Sequence, residues 1–172
     1  VTSGPDGLAA PERVLGSASG AQAAQASSAG LSPVSFTHTA VAANPTILRL
    51  VSGDGQSGAI GSPLADSLVV RLEDDNGNGV GGKPISWVVS TGNGSVSPPT
   101  ATTNANGFAM AEWTLGSSAG TNRANAVFSG LPPVQFVATA GAGAPAGLAF
   151  IQAPVNTSAG ATITPSVRVA VQ

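Results

Sequence analysis

This chain has no cysteine and no tyrosine, one histidine, and few charges: eight acidic and six basic residues among 172. Each scarcity closes off a class of chemistry. Without cysteine there is no disulfide, no thiolate metal site and no cysteine nucleophile, although that alone names no compartment. The basic residues Arg13, Arg49, Arg71, Lys83, Arg123 and Arg168 are scattered and the net charge is −2. No positive patch therefore faces a phosphate backbone or an anionic membrane, and no nucleic-acid partner is expected. No apolar run reaches the roughly 18 residues of a membrane span, and no charged-then-apolar leader opens the segment.

What is present is apolar and turn-rich: 42% hydrophobic residues, 23 glycines and 13 prolines. Disorder needs low hydrophobicity and high net charge, and this chain has neither. Short strands separated by turns fit the composition, which predicts an all-β chain.

The chain also repeats itself. Residues 7–40 align without a gap to 107–140, with 16 of 34 positions identical. The matches are turn glycines and alternating apolar residues, the mark of one structural unit used in tandem. Three stretches follow: 1–40 as the closing part of a module, 41–141 as a complete module, and 142–172 as the opening of a further one.

Within 1–40, strands are expected at Leu8 to Leu15, Ala21 to Ser28 and Pro33 to Ala40. In the complete module Pro45 to Ser52 is a strand and Gly53 to Pro63 a loop. Asp66 to Asp74 alternates most clearly, with Leu68, Val70 and Leu72 on one face. The run DDNGNGVGG is the strongest turn signal. Pro84 to Ser90 returns with Ile85, Trp87 and Val89 inward, and Ser95 to Thr102 holds a short, proline-marked edge segment. Ala109, Ala111, Trp113 and Leu115, then Ala124, Ala126 and Phe128, then Val134, Phe136 and Ala138 complete the inward set, as in a sandwich. In 142–172, Leu148 and Phe150 answer Leu48 and Leu50. With one loop residue dropped, Val167, Val169 and Val171 answer Leu68, Val70 and Leu72.

Chemical readings are thin. Asp74, Asn76 and Asn78 alternate ahead of Gly79 like the opening of a calcium loop and are weak metal candidates. A complete loop needs a bidentate Glu six residues after that glycine; Ile85 stands there, so hairpin-turn chemistry outweighs a metal site. His38 lies in line with Val34 and Phe36, on the expected inward face, with no nucleophile or orienting carboxylate implied beside it. Glu12 and Glu112 occupy equivalent outward positions rather than opposite sides of a cleft. Trp87 and Trp113 fall inward, which favours core packing over a sugar platform. Asn93-Gly94-Ser95 and Asn156-Thr157-Ser158 match glycosylation acceptors, a weak signal. No enzyme and no cofactor are expected.

Taken together, VVRLEDDNGNGVGGKPISWVVSTGNGSVSPPTATTNANGFAMAEWTLGSSAGTNRANAVFSG and the closing PVQFVATA resemble the group 1 bacterial immunoglobulin-like domains, the stalk modules of invasin and intimin. The carrying motifs are the Gly77-Asn78 turn after a Val-rich strand, Gly92 to Pro98, and Thr103 to Gly107. Arg13, where the repeat has Trp113, departs from the pattern. The resemblance implies immunoglobulin-like β-sandwich modules in tandem, located extracellularly or on the bacterial cell surface. The expected role is a stiff adhesive stalk or a building block of an extracellular filament. A carbohydrate- or receptor-binding module is the alternative, which an outward cluster of aromatics would favour; none is visible. The expected partners are neighbouring modules of the same chain, then further copies joined into fibres by strand pairing, and a host or matrix surface ligand. Completing the end pieces head to tail would leave repeat positions of about 74–100 unfilled, so a piece of a longer chain is expected.

Overall fold

The computed structural model describes residues 2–143, 145 and 147–171; Ala144, near the start of the expected further module, lies outside them. The centre of the molecule is a sandwich of two sheets. One has the order β3 (Ile47–Ser52), β5 (Leu68–Glu73), β9 (Phe108–Thr114), β7 (Ser95–Ser97); the other runs β4 (Gln56–Ala59), β11 (Val134–Gly141), β10 (Gly120–Val127), β6 (Pro84–Thr91), β8 (Thr100–Thr102). All pairings are antiparallel except β11 with β4. This is an immunoglobulin-like arrangement.

The period-2 faces explain the core. Leu68, Val70 and Leu72 of β5 and Ala109, Ala111 and Trp113 of β9 are buried, facing Ile85, Trp87, Ala124, Ala126, Phe136 and Ala138 from the other sheet. Val89, Phe128 and Val134 are only partly covered and pack at its margin. The alanines matter because interiors pack to a fixed density. Small residues on β9, β10 and β11 leave room for two indoles and for the Trp87–Phe136 pair, whose ring centroids lie 5.8 Å apart.

Outside the sandwich, β1 (Gly20–Ala26) and β2 (Val34–Ala40) form one hairpin, and β12 (Leu148–Gln152) and β13 (Arg168–Val171) another two-stranded sheet. Both repeat pairings of the sandwich residue for residue. Gly20 faces Ala40 and Ala24 faces Phe36, as Gly120 faces Ala140 and Ala124 faces Phe136. Leu148 faces Val171 and Phe150 faces Val169, as Leu48 faces Leu72 and Leu50 faces Val70. The one-residue offset expected from the shortened loop is present.

Four expectations fail. Leu8 to Leu15 is not a strand: its counterpart β9 is held by ladders to β5 and β7, and 1–40 contains no equivalents of either. His38 is exposed rather than inward, its ring edge-on to Phe36 at 5.6 Å, because among the described residues the β1–β2 pair is a two-stranded sheet with no second sheet over that face. The expected loop at Gly53 to Pro63 contains β4. QSGA has no apolar alternation to announce a strand; it is held by parallel pairing to β11 and by Gln56, whose carboxamide bonds Gly53 O, Asp66 O and the Asp66 N–H. The segment Ser95 to Thr102 is two strands on different sheets, β7 against β9 and β8 against β6, because Pro98 and Pro99 between them offer no N–H to a ladder.

Candidate functional site

The residues singled out in DDNGNG lie where the first hairpin meets the sandwich. Asp74 directly follows β5 and is only 1% exposed. Its carboxylate is filled by N–H donors: the Asn76 and Asn78 backbone amides to Oδ1, each 2.9 Å, the Ala43 amide to Oδ2, 2.9 Å, and the Asn78 carboxamide to Oδ2 at 2.9 Å. Gly77 N–H closes the turn onto the Asp74 carbonyl at 3.0 Å. Such a set of donors favours the ionised acid. The Asn78 carboxamide, then the Ala43 amide, hold the Asp74 pKa down from 3.8 to about 2, against the opposing effect of burial.

Asn78 uses its remaining hydrogen-bonding capacity across the junction. Its Nδ2 donates to the Ser17 carbonyl and its Oδ1 accepts the Ser19 N–H, both at 2.8 Å. The carboxamide is thereby oriented: turned over, its oxygen would face both the Asp74 carboxylate and the Ser17 carbonyl. One buried acid thus ties the 41–45 connection, through Ala43, and the first hairpin, through Asn78, to the head of the sandwich.

The platform beneath is built from neighbouring turns. Arg71 donates to Glu73 at 2.6 Å and to Asn106 O at 3.0 Å, with its guanidinium over the Phe108 ring. Glu73, itself buried, also accepts Arg49 at 3.2 Å. Thr103 donates to Val80 O and accepts the Lys83 N–H. The turns at 74–79 and 104–107 touch backbone to backbone, and a Cβ on Gly79 would overlap the Asn106 carbonyl. Gly79→Ala should therefore cost about 2 kcal/mol, the scale of overpacking. Gly77→Ala, in open space at φ +77°, should cost about 1 kcal/mol of backbone strain. Urea midpoints of the two variants would rank them; equal midpoints would contradict the close approach.

Acid offers a second check. Because the folded pKa of Asp74 lies below its unfolded value, its contribution is present above pH 3.8 and lost as pH falls toward about 2. Thermal midpoints of the wild type should drop across that window more steeply than those of Asp74→Asn, which has no charge to lose. Parallel pH profiles would show that Asp74 is not the linked group.

The other sequence candidates do not converge. His38 is on β2 of the first hairpin and Glu112 is exposed on β9. Trp87 and Trp113 are buried in the core. A groove of about 980 Å³ follows the junction, lined by Ser19, Thr39, Val41 to Pro45, Gly79 to Gly81, Lys83 and Asn106 among others, with Lys83 its one charged side chain. Among the described residues no three His, Cys, Asp or Glu side chains are grouped to hold a metal ion. A cation at Asp74 would have to displace the N–H groups already bound there. Sequence reasoning missed the bridging role of Asn78, for which the only local signal was an Asn four residues after an Asp. No helix of the described residues is long and apolar enough to cross a membrane.

No protein-family model matches this chain, and no curated protein does. Among solved structures it is similar to the Escherichia coli adhesin FdeC, at TM-score 0.50 and 20% identity over 67% of this chain and 38% of that one. It is also similar to the D0–D1 domain of intimin, at 0.38 and 19% over 69% and 63%, and to domains 4 and 5 of the S-layer protein SbsC, at 0.44 and 19% over 69% and 65%. The chain thus spans less than two thirds of each of these chains. At such identities the likeness to FdeC shows a fold: the sandwich at 47–141 is an immunoglobulin-like β-sandwich.

Proposed function

We propose that this chain is part of a stalk or filament of group 1, invasin- and intimin-type immunoglobulin-like modules, displayed on a bacterial surface or secreted, and that its work is mechanical. Its three stretches, 1–40, 41–141 and 142–172, are then consecutive modules or parts of modules, with neighbouring modules as first partners and a host or matrix surface as the target of the whole. The observation that carries this reading is the bonded junction, in which Asp74 and Asn78 fix both the connection and the preceding hairpin. A spacer transmits force and holds distance only if its joints resist bending. The likeness to the adhesin FdeC supports the same setting, and both tryptophans are spent on the core rather than offered to a sugar.

Two measurements test it. Residual dipolar couplings should fit the 20–40 hairpin and the 47–141 sandwich with one alignment tensor. Antibody raised against the chain should label intact cells of the source bacterium. Independent tensors, or labelling only after lysis, would overturn the proposal.

A further inference from the structure

We propose that the loop from Gly116 to Gly120, at the far end of the sandwich, is a docking surface for a following module. Its partner would be a carboxylate-stapled Asn-Gly turn of the kind formed by Asp74 to Gly79. The inference rests on the stalk reading and specifies its joint.

The observed junction shows what such a joint requires. Asn78 grips the first hairpin through two backbone groups two residues apart, the Ser17 carbonyl and the Ser19 N–H. No side chain of the gripped loop takes part, so a loop with the same backbone course should be gripped whatever its side chains. The loop at 116–120 shares the entry and the register of the gripped one. Gly20 and Gly120 enter their strands at φ +117° and +115°, a conformation open to glycine at little cost, and the strands that follow pair in identical register. A carboxamide two residues into each strand accepts the first N–H of its loop, Gln22 from Gly16 at 2.7 Å and Asn122 from Gly116 at 3.4 Å. Its N–H groups hold the Gly16 and Ala18 carbonyls in the first loop and the Gly120 carbonyl in the second. The two differences inside the loop, Ala18 to Ser118 and Ser19 to Ala119, fall on side chains the joint does not use. Among the described residues no group bonds the Ser117 carbonyl or the Ala119 N–H.

The connection repeats as well. Residues 141–145 match 41–45 in length and both end in proline, which places Gly143 where Ala43 gives its N–H to Asp74. The chemistry of the partner follows from the donor and acceptor pair. A carboxamide supplies both halves at once, whereas a carboxylate has no N–H for the Ser117 carbonyl. An acid beneath the carboxamide orients it, as Asp74 orients Asn78. Because the gripped loop contributes only backbone, modules of different sequence can follow one another in the same geometry.

Two experiments decide the matter. In the first, Ala18→Ser and Ser19→Ala are introduced together into the 172-residue chain, giving the near loop the far loop's sequence. Exchange of the residue-19 amide should stay within about twofold of wild type, and a tenfold acceleration would overturn the proposal. In the second, the chain is continued past Gln172 by a copy of its own residues 74–141. The Ala119 amide should then exchange at least tenfold more slowly than in the 172-residue chain, and replacing the appended copy of Asn78 by alanine should abolish the slowing. An unchanged Ala119 amide beside a protected appended core would overturn the proposal while leaving the stalk reading intact. Should the appended copy not fold, the first experiment stands by itself as the decision. The stalk reading fails separately, if the first hairpin and the sandwich tumble independently.

Discussion

Trp113→Ala is expected to remove about 4 kcal/mol of stability, within the 3–5 kcal/mol range for emptying a large aromatic site. The side chain is fully buried on β9, and the buried residues of β10 and β11 are alanines apart from Asn122 and Phe136, so the core has little bulk free to collapse into a void. Small domains have roughly 5–15 kcal/mol in total, so the variant should unfold at a much lower urea concentration and populate the open state at ambient temperature. Trp113→Phe should be far milder. Among the described residues the buried indole Nε1 has no partner, and phenylalanine keeps most of the volume while removing that unpaired donor, whose burial carries its own cost. Urea midpoints for the pair give the test: similar losses in both variants would mean that filled volume at this site is not the source of its stability.

Asn78→Asp should have the largest effect on the junction and should reverse the sign of its acid response. The substituted carboxylate keeps an acceptor for the Ser19 N–H but has no donor for the Ser17 carbonyl. It also sets a second negative charge against Asp74, where the carboxamide now lies 2.9 Å from Oδ2. Two carboxylates at that separation titrate as a coupled pair, one of them well above the ordinary range. At neutral pH the hairpin should release, with the Ser19 amide exchanging at least tenfold faster. Lowering the pH toward 4 should restore part of the contact, since a protonated acid can donate again. The wild-type joint behaves in the opposite way, weakening only as Asp74 takes up a proton on the way down to about pH 2. Amide exchange against pH in the two proteins separates the cases. If Asn78→Asp and wild type respond alike, the carboxamide is not the group that spans the junction.

Much of the architecture was legible in advance because the signals are local. Alternation at Leu68, Val70 and Leu72, or at Ala109, Ala111 and Trp113, states which face of a strand is apolar, and burial then has little choice. The internal repeat has its counterpart in register: Phe36 lies opposite Ala24 as Phe136 lies opposite Ala124, since equal hairpin loops between equal patterns leave one alignment that keeps the apolar set together.

Partner choice was not legible, because it depends on residues distant in sequence. Leu8 to Leu15 has the alternation of β9 and no strands beside it. Gln56 to Ala59 has no alternation, yet it is a strand because β11 offers an open edge. His38 follows the pattern of an inward residue and is exposed for want of a facing sheet. The DDNGNG run shows the same division most clearly. Its sequence determined a tight turn, since an Asp followed by Asn-Gly pairs bonds its own backbone whatever surrounds it. Only the tertiary structure decided that the carboxamide of Asn78 reaches out of that turn to Ser17 and Ser19, because the loop it grips lies some sixty residues earlier. A turn is specified by neighbours along the chain, a joint by neighbours in space.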